Sequence, residues 1–198
     1  QHLMKAEVLR CGKDTEAMTY NDLEALLGND GVDPIDPFAL ILEVPHREIG
    51  GCVTSINDMK LMKKKCNESG IAIHMDGARL FEALGGELCE RDNEKEKETI
   101  LDCFDSIYIS FYKGLGGMTG AMLCGSESFI QESRIWLRRY GGNLYNNLPY
   151  ALSGLMVFNK YKYTFHERYI TLKRYAQIIL ATATDIATIA EKGQGQGQ

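Results

Sequence analysis

The sequence predicts an α/β fold: a mostly parallel central sheet with helices on both faces. Three observations predict it. Apolar runs of strand length recur at "FALILEV" (38–44), "IAIH" (71–74), "SIYISF" (106–111) and "AMLCG" (121–125). Helical apolar spacing fills the segments between them. Through residues 38 to 140 the two patterns alternate, and such alternation requires crossovers that lay helices over parallel strands. Ligands of these sheets bind beyond the carboxyl ends of the strands, so the residues that follow each strand are where chemistry is expected.

Each element has its own warrant. Thr19, with Asp22 three residues later and then "LEALL", is a capping-box start to a short helix. "GNDGVDPIDP" is a loop by its Gly, Pro and Asp content. Residues 56–69 place Ile56, Met59, Met62 or Lys63, and Cys66 at helical spacing, and Gly70 is a stop. The run Lys63-Lys64-Lys65 on that helix reads as a solvated face. "DGARLFEALGG" turns from a strand into a short helix, and 86–99, "GELCERDNEKEKET", is a charged surface insertion without apolar period. "KGLGGMTG" (113–120) is a glycine loop. Ser128, with Gln131 in the capping-box position, opens an amphipathic helix that Gly141 and Gly142 end. After Pro149 the pattern is helical with a break near 160–166, and the tail "GQGQGQ" is low-complexity text expected to be disordered.

Composition bounds the function classes. The 198 residues, 44% hydrophobic and 25% charged, suffice for one sizeable core. A net charge of −5 argues against nucleic acid or an anionic membrane as partner. Six cysteines show no C-x-x-C spacing and several sit in apolar runs, the usage of reduced thiols in a cytoplasmic protein. No stretch approaches the roughly 18 apolar residues of a membrane span, and the N-terminus lacks the pattern of a signal peptide. An opening on Gln rather than Met is expected of a trimmed or incomplete chain.

The chemistry concentrates in "GIAIHMDGARLFEAL" (70–84), a buried-looking run that ends in His74, Asp76 and Arg79. Asp76 follows one strand. Lys113 follows the next, with Gly114, Gly116 and Gly117 letting the backbone turn tightly behind it. An amine and a carboxylate so placed are the pair that pyridoxal phosphate chemistry needs. The lysine forms a Schiff base with the cofactor aldehyde, and the carboxylate keeps the pyridinium nitrogen protonated. Arg79 offers a fork of donors to a substrate carboxylate or the ring oxygen. His74, two residues before Asp76, points to the same side of an extended chain and supports it.

The runs "EVPHREIGG", "IHMDGARLFEA", "FDSIYISFYKGLGGMTGAMLCG" and "RRYGGNLYNNLPY" resemble, in the same order, the threonine aldolase and β-eliminating lyase family of pyridoxal-phosphate enzymes. The resemblance spans about residues 2 to 155. It implies the aspartate-aminotransferase-like fold, truncated at both ends. Residues 1–145 would be a partial cofactor-binding large domain, 146–192 a helical linker and the start of a small domain, and 193–198 a disordered tail. It further implies Lys113 as the Schiff-base lysine, Asp76 as the pyridinium partner and Arg79 as a contact to cofactor and substrate carboxylate. His2, five residues before Glu7, matches the histidine that stacks on the cofactor ring. His46 matches a histidine near the substrate hydroxyl or holding the site.

Departures accompany the resemblance. The family's Gly-Thr turn for the cofactor phosphate, expected upstream of His2, is missing from the text, as is a complete small domain with a second arginine. "GGNLYNN" lacks the arginine that many threonine aldolases use at the phosphate, a role Arg138 or Arg139 could take, and Tyr112 replaces a small hydroxyl residue before the lysine. The activity implied is that of a low-specificity L-threonine aldolase, cleaving a β-hydroxy-α-amino acid to glycine and an aldehyde. The alternatives are β-elimination on the same cofactor and a catalytically inactive fragment of such an enzyme. A homodimer or homotetramer is implied for the full-length parent. His74-x-Asp76 with His166 formally spells a two-histidine, one-carboxylate iron site, but helices alternating with strands disfavour it, and no metal is expected.

Overall fold

Among the described residues four strands form one sheet in the order β1-β2-β3-β4: β1 (Ala39–Glu43), β2 (Ala72–Gly77), β3 (Ser106–Ser110) and β4 (Ala121–Gly125). The first three run parallel, and β4 returns antiparallel to β3 through the glycine loop. The structure is a computed structural model that describes residues 6–28, 37–86, 88 and 100–194, with 185–194 described as backbone only. His2, Cys89, nearly all of the charged insertion and residues 195–198 lie outside the described residues.

Among the described residues six α-helices of six residues or more accompany the sheet: α1 (Tyr20–Leu27), α2 (Ile56–Glu68), α3 (Leu80–Gly85), α4 (Glu127–Arg139), α5 (Leu148–Tyr161) and α6 (Phe165–Gln194). The capping box of α1 is present as read: Thr19 accepts from the Asp22 amide, and Asp22 Oδ2 accepts from Thr19 N at 2.8 Å. In α2 the choice falls on Met62, which is fully buried with Met59 and Cys66, while Ser55 caps its N-terminus. The break between α5 and α6 falls at 162–164, inside the expected interval.

Three expectations need correction. The cap of α4 is Ser126, two residues before Ser128; its Oγ accepts from Phe129 N at 3.3 Å, and Ser128 Oγ lies 3.2 Å from it. The strand ends at Gly125, so the first available hydroxyl takes the cap. Lys63 is not a solvated residue: its side chain is 19% exposed and its amine meets Asp105 Oδ1 at 2.5 Å. Asp105 also accepts from Ile73 N at 2.9 Å, which ties the β3 entrance to β2. Burial opposes its charge, but the Ile73 amide and Lys63 together hold its carboxyl below the ordinary aspartate range. Finally, α6 runs through Gln194, two residues into the tail expected to be disordered.

Period-two alternation sorts the sheet into two faces. One carries Leu42, Ile73, Met75 and Ile107, and packs on Leu23 of α1 and on Ile56, Met59, Met62 and Cys66 of α2. The other carries Ile41, His74 and Ser106 in one register row and Glu43, Asp76 and Tyr108 in the next. On this second face α4 approaches β4, where Phe129 fills the space over Gly125, while Ile41 on β1 is 67% exposed. An aromatic cluster joins the later helices to the sheet's upper edge: Phe81 of α3 lies 5.7 Å from Phe165 of α6 and 5.8 Å from Phe158 of α5. No disulfide joins the described cysteines, and burial pushes the Cys66 and Cys103 thiols above the ordinary range. Among the described residues no helix is long and apolar enough to cross a membrane.

The core makes a direct prediction. Met59→Ala removes a fully buried side chain from the α2 seam. It is expected to cost about 2–5 kcal/mol, read as a lowered urea midpoint.

Candidate active site

The register of β2 and β3 builds the site. Asp76 pairs with Glu43 on one side and Tyr108 on the other, so three polar side chains lie in a row across the carboxyl ends of parallel strands. Asp76 Oδ1 accepts from Ala78 N at 3.1 Å, a local turn that fixes the carboxylate at the strand's end. Its other oxygen has no partner among the described residues. One row below, His74 Nδ1 meets Ser106 Oγ at 2.7 Å. Burial pushes the His74 imidazole below its ordinary pKa, and the Asp76 charge only partly offsets this.

Lys113 stands beyond β3 in the loop that returns to β4. Gly116 N donates to Lys113 O at 2.8 Å and Gly117 N to Phe111 O at 2.7 Å, folding the loop back on itself. The turn needs Gly116, whose φ of 79° is left-handed and whose side-chain direction opens into empty space. Buried Leu115 anchors the loop below, and Met118 N donates to Ser153 Oγ of α5 at 3.0 Å. Among the described residues Lys113 Nζ has no carboxylate partner; it lies 5.8 Å from the Tyr112 ring centroid.

Hydroxyls lead from Tyr108, beside Asp76, toward the lysine loop: Tyr108 OH is 2.9 Å from Ser110 Oγ. Burial pushes Tyr108 up. The hydrogen bonds from Tyr108 and Ser110, with the Lys113 charge, hold Tyr112 below the ordinary phenol range. The tyrosine before the lysine is therefore part of the strand-end network.

The other expected residues fall nearby but not in one cavity. His46, just past β1, has Nε2 3.5 Å from Glu43 Oε2, which joins it to the end of the polar row. Arg79 precedes α3 and lines a hollow of about 370 Å³ with Pro45, Cys52, Glu82 and Tyr169; neither Asp76 nor Lys113 lines it. His166 Nδ1 donates to Gly85 O at 3.0 Å, so that nitrogen serves helix packing. Arg138 and Arg139 line a separate hollow at the end of α4.

Sequence reading missed Glu43, Tyr108, Ser110, Glu82 and Arg168. The alternation in "SIYIS" puts Ser106, Tyr108 and Ser110 on one face, but only the register brings that face beside Asp76. Glu82, three residues after Arg79, has a local signal in helical spacing. Arg168 has none, since its contact with Gly114 O at 2.8 Å spans 54 residues.

Comparison with known proteins identifies the family and the fold. The β-eliminating lyase family model matches residues 1–191. Aldolase vrtJ of Penicillium aethiopicum is 35% identical over 130 residues, covering 64% of this chain and 31% of that protein. The low specificity L-threonine aldolase of Escherichia coli is 34% identical over 88 residues, 44% of this chain and 25% of the enzyme. A crystal structure from Exiguobacterium sp. 255-15, classed as an aromatic amino acid β-eliminating lyase/threonine aldolase, superposes with a TM-score of 0.77 at 38% identity, covering 89% of this chain and 46% of that one. The chain thus spans about a third or less of the length of these curated relatives.

The environment of His74 predicts a pH dependence. Its folded pKa lies below the unfolded value of about 6.5. The unfolded chain therefore takes up this proton first as pH falls, and stability is full above 6.5 and declines between that value and the folded pKa. NMR titration is expected to give His74 a midpoint below that of a free imidazole side chain. A His74→Asn variant, which keeps a partner for Ser106, should show a shallower loss of stability over the same interval.

Proposed function

The chain belongs to the β-eliminating lyase family of pyridoxal-phosphate-dependent enzymes, and from that premise we propose that its protein is a threonine-aldolase-like lyase. Its reaction is the cleavage of a β-hydroxy-α-amino acid to glycine and an aldehyde. The observation that carries this reading is the strand-end pair: Asp76 closing β2 and Lys113 following β3, the adjacent parallel strand.

The donor set fits the cofactor. Among the described residues, a primary amine without a carboxylate partner and a carboxylate with one oxygen uncommitted stand at a sheet end that also presents hydroxyls. Lys113 would hold the aldehyde carbon and Asp76 the ring nitrogen. Pyridoxal phosphate supplies an electron sink for the bond broken at the substrate α-carbon. Asp76 keeps a fixed negative charge where the ring nitrogen must retain its proton, a preorganised contribution that needs no rearrangement during reaction. Arg79 binds the substrate carboxylate through its planar fork. His46, oriented by Glu43, stands toward the β-hydroxyl, and its imidazole accepts the hydroxyl proton. Tyr108 and Tyr112 orient the lysine and carboxylate through the shared hydroxyl network. His2, outside the described residues, is proposed as the group that stacks on the ring.

Likeness to the Escherichia coli and Penicillium enzymes supports aldol cleavage over β-elimination. The same residues would serve β-elimination up to the choice of leaving group, and the products separate the two. We also propose a homo-oligomeric, cytoplasmic assembly without nucleic-acid or membrane partners. Its support is an apolar stripe on α5, where Leu148, Leu152, Leu155 and Met156 recur at helical spacing and are all exposed.

The test is product analysis of the protein supplied with pyridoxal phosphate and L-threonine or a related β-hydroxy amino acid. Glycine and aldehyde in equal amounts are expected, while ammonia and a keto acid would assign β-elimination. Lys113→Ala is expected to reduce turnover to background. Asp76→Asn should reduce it on the order of a hundredfold or more, the scale of removing a preorganised charge partner. Normal turnover in Lys113→Ala would overturn the assignment.

A further inference from the structure

Gly114, the residue after Lys113, is held between two side chains. The Glu82 carboxylate of α3 lies against its backbone, and its carbonyl accepts from Arg168 Nη1 of α6 at 2.8 Å. The fit depends on glycine: a Cβ there would overlap Glu82 Oε1, lie 2.6 Å from Glu82 Cδ and 2.9 Å from the Phe165 ring. The Arg168 guanidinium stacks 4.6 Å from the Phe165 ring centroid, and Phe165 packs on Phe81 one residue before Glu82. His166, in the same turn of α6, donates to Gly85 O. Burial raises the Glu82 carboxyl, and the nearby Arg79 and Arg168 guanidiniums oppose that rise.

We propose that Glu82 and Arg168 are positioning residues for Lys113: Arg168 holds the carbonyl of Gly114 and Glu82 closes on its other side, and together they fix the direction in which the lysine leaves the loop. They also tie it to α3, the helix that follows directly from Asp76 and Arg79. The inference rests on the reading of Lys113 as the cofactor lysine. Its consequence is that the start of α6, 50 residues and more downstream, sets the geometry of the strand-end pair. Glu82 lines the Arg79 hollow as well, so one carboxylate touches the lysine loop and the hollow at once.

The test uses the whole chain with Arg168→Ala, Arg168→Lys and Glu82→Gln, first without cofactor. Amide hydrogen exchange of 113–117 is expected to quicken roughly tenfold in Arg168→Ala and Glu82→Gln, the scale of losing a charged contact to the backbone. Exchange in β1 and β2 should be unchanged. Arg168→Lys, which keeps the charge but not the fork, should restore only part of the protection. Pyridoxal phosphate followed by borohydride should label Lys113 above other lysines in the parent chain, and this preference should fall in both disruptive variants.

Unchanged exchange with unchanged Lys113 preference would overturn the proposal. Exchange that quickens equally throughout the sheet would also overturn it, by making the two residues general supports. Absence of Lys113 preference in the parent chain would instead overturn the cofactor-lysine reading, while exchange at 113–117 still decides whether the grip exists.

Discussion

The parallel pairing of β2 with β3 is the constraint on which the rest of the structure depends. Asp76 sits beside Tyr108 because His74 pairs with Ser106 two residues earlier, and that pairing is pinned where Asp105 bonds Ile73 and Lys63 at the strands' entrance. A slip of one residue would turn Asp76 onto the core face and bring Ile73 and Met75 to the site. The buried methionines of α2 oppose such a slip, since they pack only against the apolar set. Core packing and site geometry are therefore one specification written on the two faces of the same strands.

What the sheet aligns, the connections hold. Asp76 closes its strand on a local turn and leads within three residues to Arg79 and α3, so the carboxylate and the guanidinium share one short stretch of chain. The lysine loop is less self-sufficient. It forms hydrogen bonds within its own glycine turn, donates to Ser153 of α5 and accepts from Arg168, while Glu82 packs against Gly114. Polar contacts thus converge on a loop whose lysine amine has no carboxylate partner among the described residues, and the packing of Phe81, Phe158 and Phe165 holds α3, α5 and α6 together beside it.

Much of this was legible in the sequence because the relevant signals are local. The capping box at Thr19, the apolar spacing of α2 and the four strands can each be read within a dozen residues, and so can Asp76 and Lys113 as charged residues at strand ends. The α4 cap was misplaced because two serines compete within three residues, and the strand's end, which decides between them, is not a local signal. Lys63 was read as solvated because a lysine run carries no mark of a carboxylate 42 residues away. Likewise Tyr108 gains its place beside Asp76 from register, and Arg168 reaches Gly114 only through the docking of α6 on α3. The sequence therefore announced the chemistry and left its alignment to tertiary contacts.

The account stands on the strand-end pair, and a crystal structure of the protein with pyridoxal phosphate bound tests it most directly. The account predicts continuous density between Lys113 Nζ and the cofactor's aldehyde carbon, with an Asp76 carboxylate oxygen at hydrogen-bond distance from the ring nitrogen. A cofactor seated elsewhere, for instance in the hollow lined by Arg79 with Lys113 and Asp76 both unengaged, would contradict it.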